Sequence, residues 1–123
     1  MIEGLWKAVR AELDGEPMPR FAAKKITLEL NAGAYVVRFD GQETDRGTYL
    51  VDESHATKRL TLAGQQGANA GRSIPCIYQL AGDRMRICFG LDGSLPAGFS
   101  TAKDLHRYLA TYQRDTPAAV ARM

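Results

Sequence analysis

The sequence predicts an all-β domain, an eight-stranded antiparallel up-and-down barrel with a short helical turn in its first long loop. Short segments of alternating apolar and polar residues follow one another and end at turn dipeptides such as Asp14-Gly15 and Asp40-Gly41. Twelve glycines in 123 residues also favour a chain with many turns. Eight antiparallel strands in sequential order close most economically as a barrel, because closure removes the exposed sheet edges.

In the first half of the chain, alternation and turn residues predict four strands. They span residues 5–13, 26–30, 35–39 and 44–51. Between the first two, Pro17 and Pro19 cannot donate to a strand ladder, so residues 16–25 are expected to form a loop with one helical turn at a barrel end. Gly47 indicates a bulge or a close backbone approach within the fourth strand.

The second half of the chain predicts four more strands and two long loops. The strands span residues 57–62, 74–80, 84–90 and 107–114. The glycine-rich run 63–73 predicts a mobile loop, and residues 92–106 predict a second long loop. The barrel domain is therefore expected to span residues 1–115, and 116–123 a flexible carboxy-terminal tail.

Because successive side chains of a strand point to opposite faces, alternation also predicts the barrel interior. The residues expected to point inward are Ile26, Leu28, Leu30, Tyr35, Val37, Phe39, Tyr49, Val51, Leu60, Leu62, Tyr78, Met85, Ile87 and Phe89. The interior of an eight-stranded barrel is either filled by side chains or holds one small ligand. For a ligand, the expected lining is Tyr35, Val37, Phe39, Tyr49, Tyr78, Met85, Ile87 and Phe89.

The same alternation places Cys76 on the inner face and Cys88 on the outer face of one predicted hairpin. A disulfide needs converging β-carbons, so we expect two free thiols and a reducing compartment. The chain opens without a charged and then apolar leader, and no apolar run approaches membrane-spanning length. The expected location is cytoplasmic, or exported if a leader has been removed.

The first predicted strand opens with Gly4-Leu5-Trp6, and the last ends at Arg114. A glycine, any residue and a tryptophan at the head of an all-β chain resembles the opening signature of lipocalin-like, calycin-type barrels. That resemblance implies that the indole of Trp6 seals one barrel end beneath the basic side chain of Arg114. A cation–π contact of this kind contributes about 0.5–2 kcal/mol.

Further short motifs carry the resemblance along nearly the whole chain. They are Gly4-Leu5-Trp6-Lys7, Ala11-Glu12-Leu13-Asp14-Gly15, Pro17, Gly47-Thr48-Tyr49, Ile77-Tyr78-Gln79-Leu80, Gly82-Asp83, Cys88, Phe99-Ser100 and Arg114. In this order they resemble a family of uncharacterised bacterial domains that was named from planctomycetes and is usually considered lipocalin-like. Residues 101–106 depart from the short glycine-containing turn of that family. The resemblance implies a fold and leaves the function open.

The remaining polar residues form no catalytic, metal or cofactor motif. His55 and His106 could pair with Cys88 or Ser100 as base and nucleophile, but no local motif supports that pairing. Neither histidine has a second ligand at metal-binding spacing. The 16 basic and 14 acidic residues are nearly balanced, which argues against a nucleic-acid surface. We therefore predict no catalytic residues, no metal and no cofactor.

Two functions remain open from the sequence. The first is a non-enzymatic protein that holds a small hydrophobic or amphipathic ligand in the barrel lumen. The alternative is a rigid protein-interaction module with a filled barrel, which would bind a partner through loops 64–73 and 92–106 because binding residues concentrate on loops held by a rigid scaffold.

Overall fold

The structure, a computed structural model, describes residues 2–103 and 105–115. Its strands are β1 (Gly4–Leu13), β2 (Glu16–Pro17), β3 (Ile26–Asn31), β4 (Ala34–Phe39), β5 (Gln42–Asp52), β6 (Lys58–Gly67), β7 (Ser73–Ala81), β8 (Arg84–Gly90) and β9 (Arg107–Arg114), and its helix is α1 (Arg20–Ala23). The tail predicted for residues 116–123 lies outside the described residues.

The strands form one antiparallel sheet in which β3 to β9 pair in chain order. β1 pairs with both β3 and β9, so the sheet closes on itself. The predicted eight-stranded up-and-down barrel is confirmed, with the two-residue β2 as an extra strand on β1. The predicted helical turn is also present, as α1.

The two ends of the barrel differ in their connections. Short connections at residues 32–33, 53–57 and 82–83 lie with Trp6 at one end, which we call the sealed end. The two long connections, at residues 14–25 and 91–106, lie at the other end, the open end, together with those at 68–72 and 40–41. Met18 and α1 belong to the open end.

The predicted mobile loop over residues 63–73 is wrong for its first part. β6 continues to Gly67 and pairs with β5 as far as Asp45, so the connection contains only residues 68–72. A bulge beside Gly47 shifts the register between the two strands by one residue. β5 itself begins at Gln42, two residues before the predicted start. Gly67 has φ +94, which suits glycine at the point where the chain turns back.

The core fills the sealed end, and most of the predicted inward residues belong to it. Trp6, Leu28, Leu30 and Leu60 are essentially inaccessible. A bulge in β1 between Ala8 and Arg10 changes the alternation, so that Ala8 and Ala11 both point inward. Val51 was expected in the core but is 40 % exposed, because it lies next to the turn that ends β5 at the sealed end.

A second, smaller apolar layer covers the outer face of β7 and β8. Ile77 and Cys88 point outward, yet both are buried beneath the connection 91–106. The guanidinium of Arg86 lies 4.1 Å from the ring centroid of Phe99 in that connection. The Cys88 thiol donates to the Ser100 carbonyl at 3.8 Å. Both cysteines are free, with Cys76 inside and Cys88 outside, as the alternation predicts.

Candidate functional site

The open end of the barrel holds a cavity of about 330 Å³. This volume is near the lower end of the range of about 300–1,000 Å³ that small-molecule sites occupy. Apolar and aromatic side chains make up most of the wall: Met18, Ile26, Val37, Phe39, Leu62, Ala68, Ile74, Phe89, Leu91, Tyr108 and Tyr112. Arg38, Thr44, Asp45 and Asn69 supply the polar part of the lining.

The eight residues expected to line a ligand site fall into two groups. Val37, Phe39 and Phe89 line the cavity. The other five are buried and take no part in the cavity lining: Tyr35, Tyr49, Tyr78, Met85 and Ile87. The interior is thus filled at the sealed end and opens into a cavity at the other, a combination of the two alternatives that the sequence left open.

The contact expected between Trp6 and Arg114 is present at the sealed end. The Arg114 guanidinium carbon lies 4.3 Å from the ring centroid of the fully buried indole. The indole N–H donates to the Ile2 carbonyl at 2.9 Å. Arg114 also donates to Asp83 at 3.0 Å. Gly4 has φ +142, and a β-carbon there would lie 2.8 Å from the guanidinium, so glycine gives Arg114 room to cross the barrel floor.

Asp45 is the polar centre of the cavity, and the sequence analysis did not identify it. It is the one buried charged residue within 2–103 and 105–115, with 5 % of its surface exposed. Its carboxylate accepts hydrogen bonds from the Tyr35 hydroxyl at 3.1 Å and from Asn69, through the backbone N–H at 3.3 Å and Nδ2 at 2.8 Å. Alternation from Tyr49 through Gly47 would have placed Asp45 inside the barrel.

Gly47 allows the ring of Tyr35 to reach Asp45. Tyr35 on β4 pairs with Gly47 on β5, and a β-carbon at Gly47 would lie 2.8 Å from the Tyr35 ring. Burial, and secondarily the nearby Asp45 carboxylate, raises the pKa of Tyr35 well above its ordinary value. The Tyr35 hydroxyl therefore keeps its proton and remains a hydrogen-bond donor to Asp45 at neutral pH.

The connection 68–72 is tied to the barrel at this site. Asn69, which donates to Asp45, accepts a hydrogen bond at Oδ1 from Arg72 at 3.2 Å. Arg72 in turn donates to the carbonyl of Leu91, the residue that follows β8. Gly64 lets the chain fold this closely, because a β-carbon there would lie 1.9 Å from the Asn69 carbonyl oxygen. Asp45 thus anchors a chain of contacts that links β5, through the connection 68–72, to the end of β8.

Two arginines near the mouth, Arg38 and Arg107, pair with acids other than Asp45. Arg38 forms an ion pair with Glu29 at 2.9 Å. Arg107 pairs with Asp92 at 2.7 Å. The hydrogen bond from the Ser94 backbone N–H, and after it the contact with Arg107, hold the pKa of Asp92 well below its usual value. Within the part of the chain that the structure describes, no ion pair involves Asp45.

Aromatic rings form one wall of the cavity. Phe89 and Tyr108 pack with their ring centroids 5.2 Å apart, and Tyr112 lies on the same strand as Tyr108. Burial raises the pKa of Tyr108 to about 12, and it also raises the pKa of Tyr112 well above its ordinary value. These phenols are neutral at physiological pH. The sequence analysis did not assign them, although the alternation of Tyr108, Ala110 and Tyr112 indicates one inner face.

The two histidines considered for catalysis lie at opposite ends of the barrel. His55 contacts Asp52 at 3.2 Å at the sealed end, whereas His106 directly precedes β9 at the open end. Cys88 lies under the outer layer, and burial raises the pKa of its thiol, which disfavours the nucleophilic thiolate. In the described residues, no three His, Cys, Asp or Glu side chains are grouped as metal ligands would be.

Comparisons with family models, curated proteins and solved structures found no match to this chain. The lipocalin-like resemblance of the sequence motifs therefore stays a prediction. Among residues 2–103 and 105–115 there is no helix with the length and apolar character needed to span a membrane.

Proposed function

We propose that this protein is a non-enzymatic binding protein that holds a small, largely apolar molecule in the open end of its barrel. The observation that carries the proposal is the cavity of about 330 Å³ with a mainly apolar and aromatic lining and a few convergent polar groups. Such a combination is the usual composition of a small-molecule site.

The side chains at the cavity mouth also support a ligand. Phe39 lines the cavity and is 40 % exposed, although Tyr35 on the same face of β4 is completely buried. Burying apolar surface contributes about 25 cal/mol per Å², so a ligand that covers Phe39 and Val37 gains binding free energy from surface that the protein alone leaves accessible. The rigid core at the sealed end holds these strands in place without a ligand.

A dye titration tests the proposal. N-phenyl-1-naphthylamine is uncharged and fluoresces in apolar surroundings, and we expect it to bind with saturation. At a concentration of about 100 times its Kd the dye should stabilise the protein by about 2.7 kcal/mol. Val37→Trp fills the cavity and should weaken binding at least tenfold. Leu50→Trp is the matched control, because Leu50 is 77 % exposed on the neighbouring strand and lies outside the cavity lining.

The expected pattern is loss of binding for Val37→Trp and wild-type binding for Leu50→Trp, with both variants folded by circular dichroism. Wild-type protein that gives no saturable fluorescence would contradict the proposal. Equal binding by the two variants would contradict the location of the site.

Fewer observations support the alternative function, a protein-interaction module that binds a partner through its loops. Leu95 and Leu105, in the connection 91–106, are 37 % and 50 % exposed. Part of that connection packs on the outer face of the barrel through Phe99, which leaves these leucines as the apolar groups available to a partner. If this alternative holds, Leu105→Ser should abolish co-purification of a cellular partner that Val37→Trp still retains.

A further inference from the structure

The buried carboxylate of Asp45 has hydrogen-bond donors but no positive counter-charge among the described residues. The five ion pairs within 2–103 and 105–115 all involve other acids. We propose that the cavity selects small organic amines, and that the ligand's ammonium group lies against Asp45. This inference rests on the proposed function and names its ligand class.

The energetics of a buried carboxylate favour an ammonium partner. A charge removed from water is costly unless it is both hydrogen-bonded and paired. A carboxylate has about four acceptor positions. Asp45 uses three of them for Tyr35 and Asn69, so acceptor capacity remains for a donor that arrives through the cavity. An alkylammonium supplies both that donor and the missing positive charge.

The aromatic wall suits the same ligand class. Phe89, Tyr108 and Tyr112 line the cavity, and the electron-rich faces of such rings attract cations. Because burial raises the pKa values of both tyrosines, these rings carry no competing negative charge at neutral pH. An aryl-alkyl amine can therefore place its ring among the apolar side chains and its ammonium beside Asp45.

The competing possibility is an anionic ligand held by the arginines of the mouth. Arg38 lines the cavity, but it pairs with Glu29. Arg72 donates to Asn69 and to the Leu91 carbonyl. A ligand carboxylate would have to displace these contacts and approach Asp45, whose charge repels it. We therefore expect anions to bind more weakly than neutral analogues.

Three probes with one apolar skeleton separate these ligand classes: 2-phenylethylamine, 2-phenylethanol and 3-phenylpropanoate. Each competes with N-phenyl-1-naphthylamine at pH 7. The amine is expected to displace the dye at a concentration at least tenfold lower than the alcohol, and the carboxylate at a higher concentration than either. Asp45→Asn should reduce the preference for the amine over the alcohol to less than threefold.

A matched control removes an exposed carboxylate from the strand that carries Asp45. Glu43 is on the same strand, near the mouth, but it is exposed and pairs with Arg46. Glu43→Gln should keep the full preference for the amine. If Glu43→Gln loses the preference as Asp45→Asn does, the selection comes from the general field of the mouth and the assignment to Asp45 is overturned.

A second measurement on the wild-type protein covers the case in which Asp45→Asn does not fold. The backbone and side-chain amides of Asn69 both donate to Asp45, so their NMR resonances report on its carboxylate. The amine should shift both resonances more than the alcohol does. Equal shifts, or dye displacement by amine and alcohol at the same concentration, would overturn the amine proposal while leaving a neutral-ligand site intact. Absence of dye binding would instead overturn the proposed function itself.

Discussion

Replacing Gly47 by alanine tests whether close packing of β4, β5 and β6 supports the site. A β-carbon at Gly47 would lie 2.0 Å from the Ala63 carbonyl oxygen and 2.8 Å from the Tyr35 ring. Ordinary contacts of this kind are about 3.4 Å or more, so β5 and β6 must separate by roughly 1.4 Å. The obstructing Ala63 atom belongs to the backbone of a paired strand and cannot rotate away.

The expected cost follows from these contacts. Overpacking of this kind costs about 1–3 kcal/mol. Displacing the Tyr35 ring also weakens its hydrogen bond to Asp45, and bonds to a charged group contribute about 1.5–3 kcal/mol. We therefore expect Gly47→Ala to lower the free energy of unfolding by about 3–5 kcal/mol, a large part of the stability of a domain of this size.

Urea unfolding followed by circular dichroism measures the change. Gly98→Ala is the matched control, since no heavy atom lies within 4 Å of a β-carbon there and its backbone is outside the left-handed region. That control should stay within about 0.5 kcal/mol of wild type. If Gly47→Ala also unfolds within 1 kcal/mol of wild type, the strands adjust freely and the packing argument for Tyr35 and Asp45 is refuted.

Three further predictions concern the sealed end and the partly buried Tyr108. Trp6→Ala removes a fully buried indole and should cost about 3–5 kcal/mol in urea unfolding, and a loss below 2 kcal/mol would contradict its role as the barrel floor. Arg114→Met should cost less than Trp6→Ala in the same assay, because its alkyl stem still covers the indole, and an equal or larger loss would contradict that explanation. Burial raises the pKa of Tyr108 to about 12, whereas a tyrosine in the unfolded chain ionises near pH 10. The contribution of the neutral Tyr108 phenol to the free energy of unfolding is therefore complete below pH 10 and is lost as the pH rises through 12. The urea midpoint should therefore fall between pH 9 and 11, and fall less in Tyr108→Phe; an unchanged midpoint would exclude this linkage.

The barrel could be predicted because its local signals agree with its global pairing. Asp14 and Asp40 adopt positive φ values of 49 and 54, and each precedes a glycine with positive φ, as the turn dipeptides imply. The inner face of β8 follows the alternation of Met85, Ile87 and Phe89 without interruption. Such patterns depend only on neighbours along one strand, and those are visible in the sequence.

The cavity could not be predicted in the same way, because its size depends on residues from strands that are distant in sequence. Alternation puts both Met85 and Phe89 inside, but only Phe89 lines the cavity. Whether an inward side chain is packed or lines the cavity depends on the side chains opposite it, such as the bulky Trp6 at the sealed end. The alternation along β5 predicts that Asp45 points inward. A core, however, is identified by apolar residues at inward positions, so a carboxylate there is not recognised as part of it. The continuation of β6 through Gly64 and Gly67 was hidden by their weak strand propensity.

The pairing of β1 with β9 gives the barrel a seam whose two sides are far apart in the chain. In the described sheet, β3 to β9 pair with their sequence neighbours, whereas Trp6 pairs with Arg114 more than a hundred residues away. Local hairpins form before distant segments meet, because closing a long loop costs more entropy. We therefore expect the meander to assemble first and the seam to close last. The contact between the indole and the guanidinium at that seam would then change the folding rate little and mainly slow unfolding. It would therefore contribute to the kinetic stability of the folded barrel.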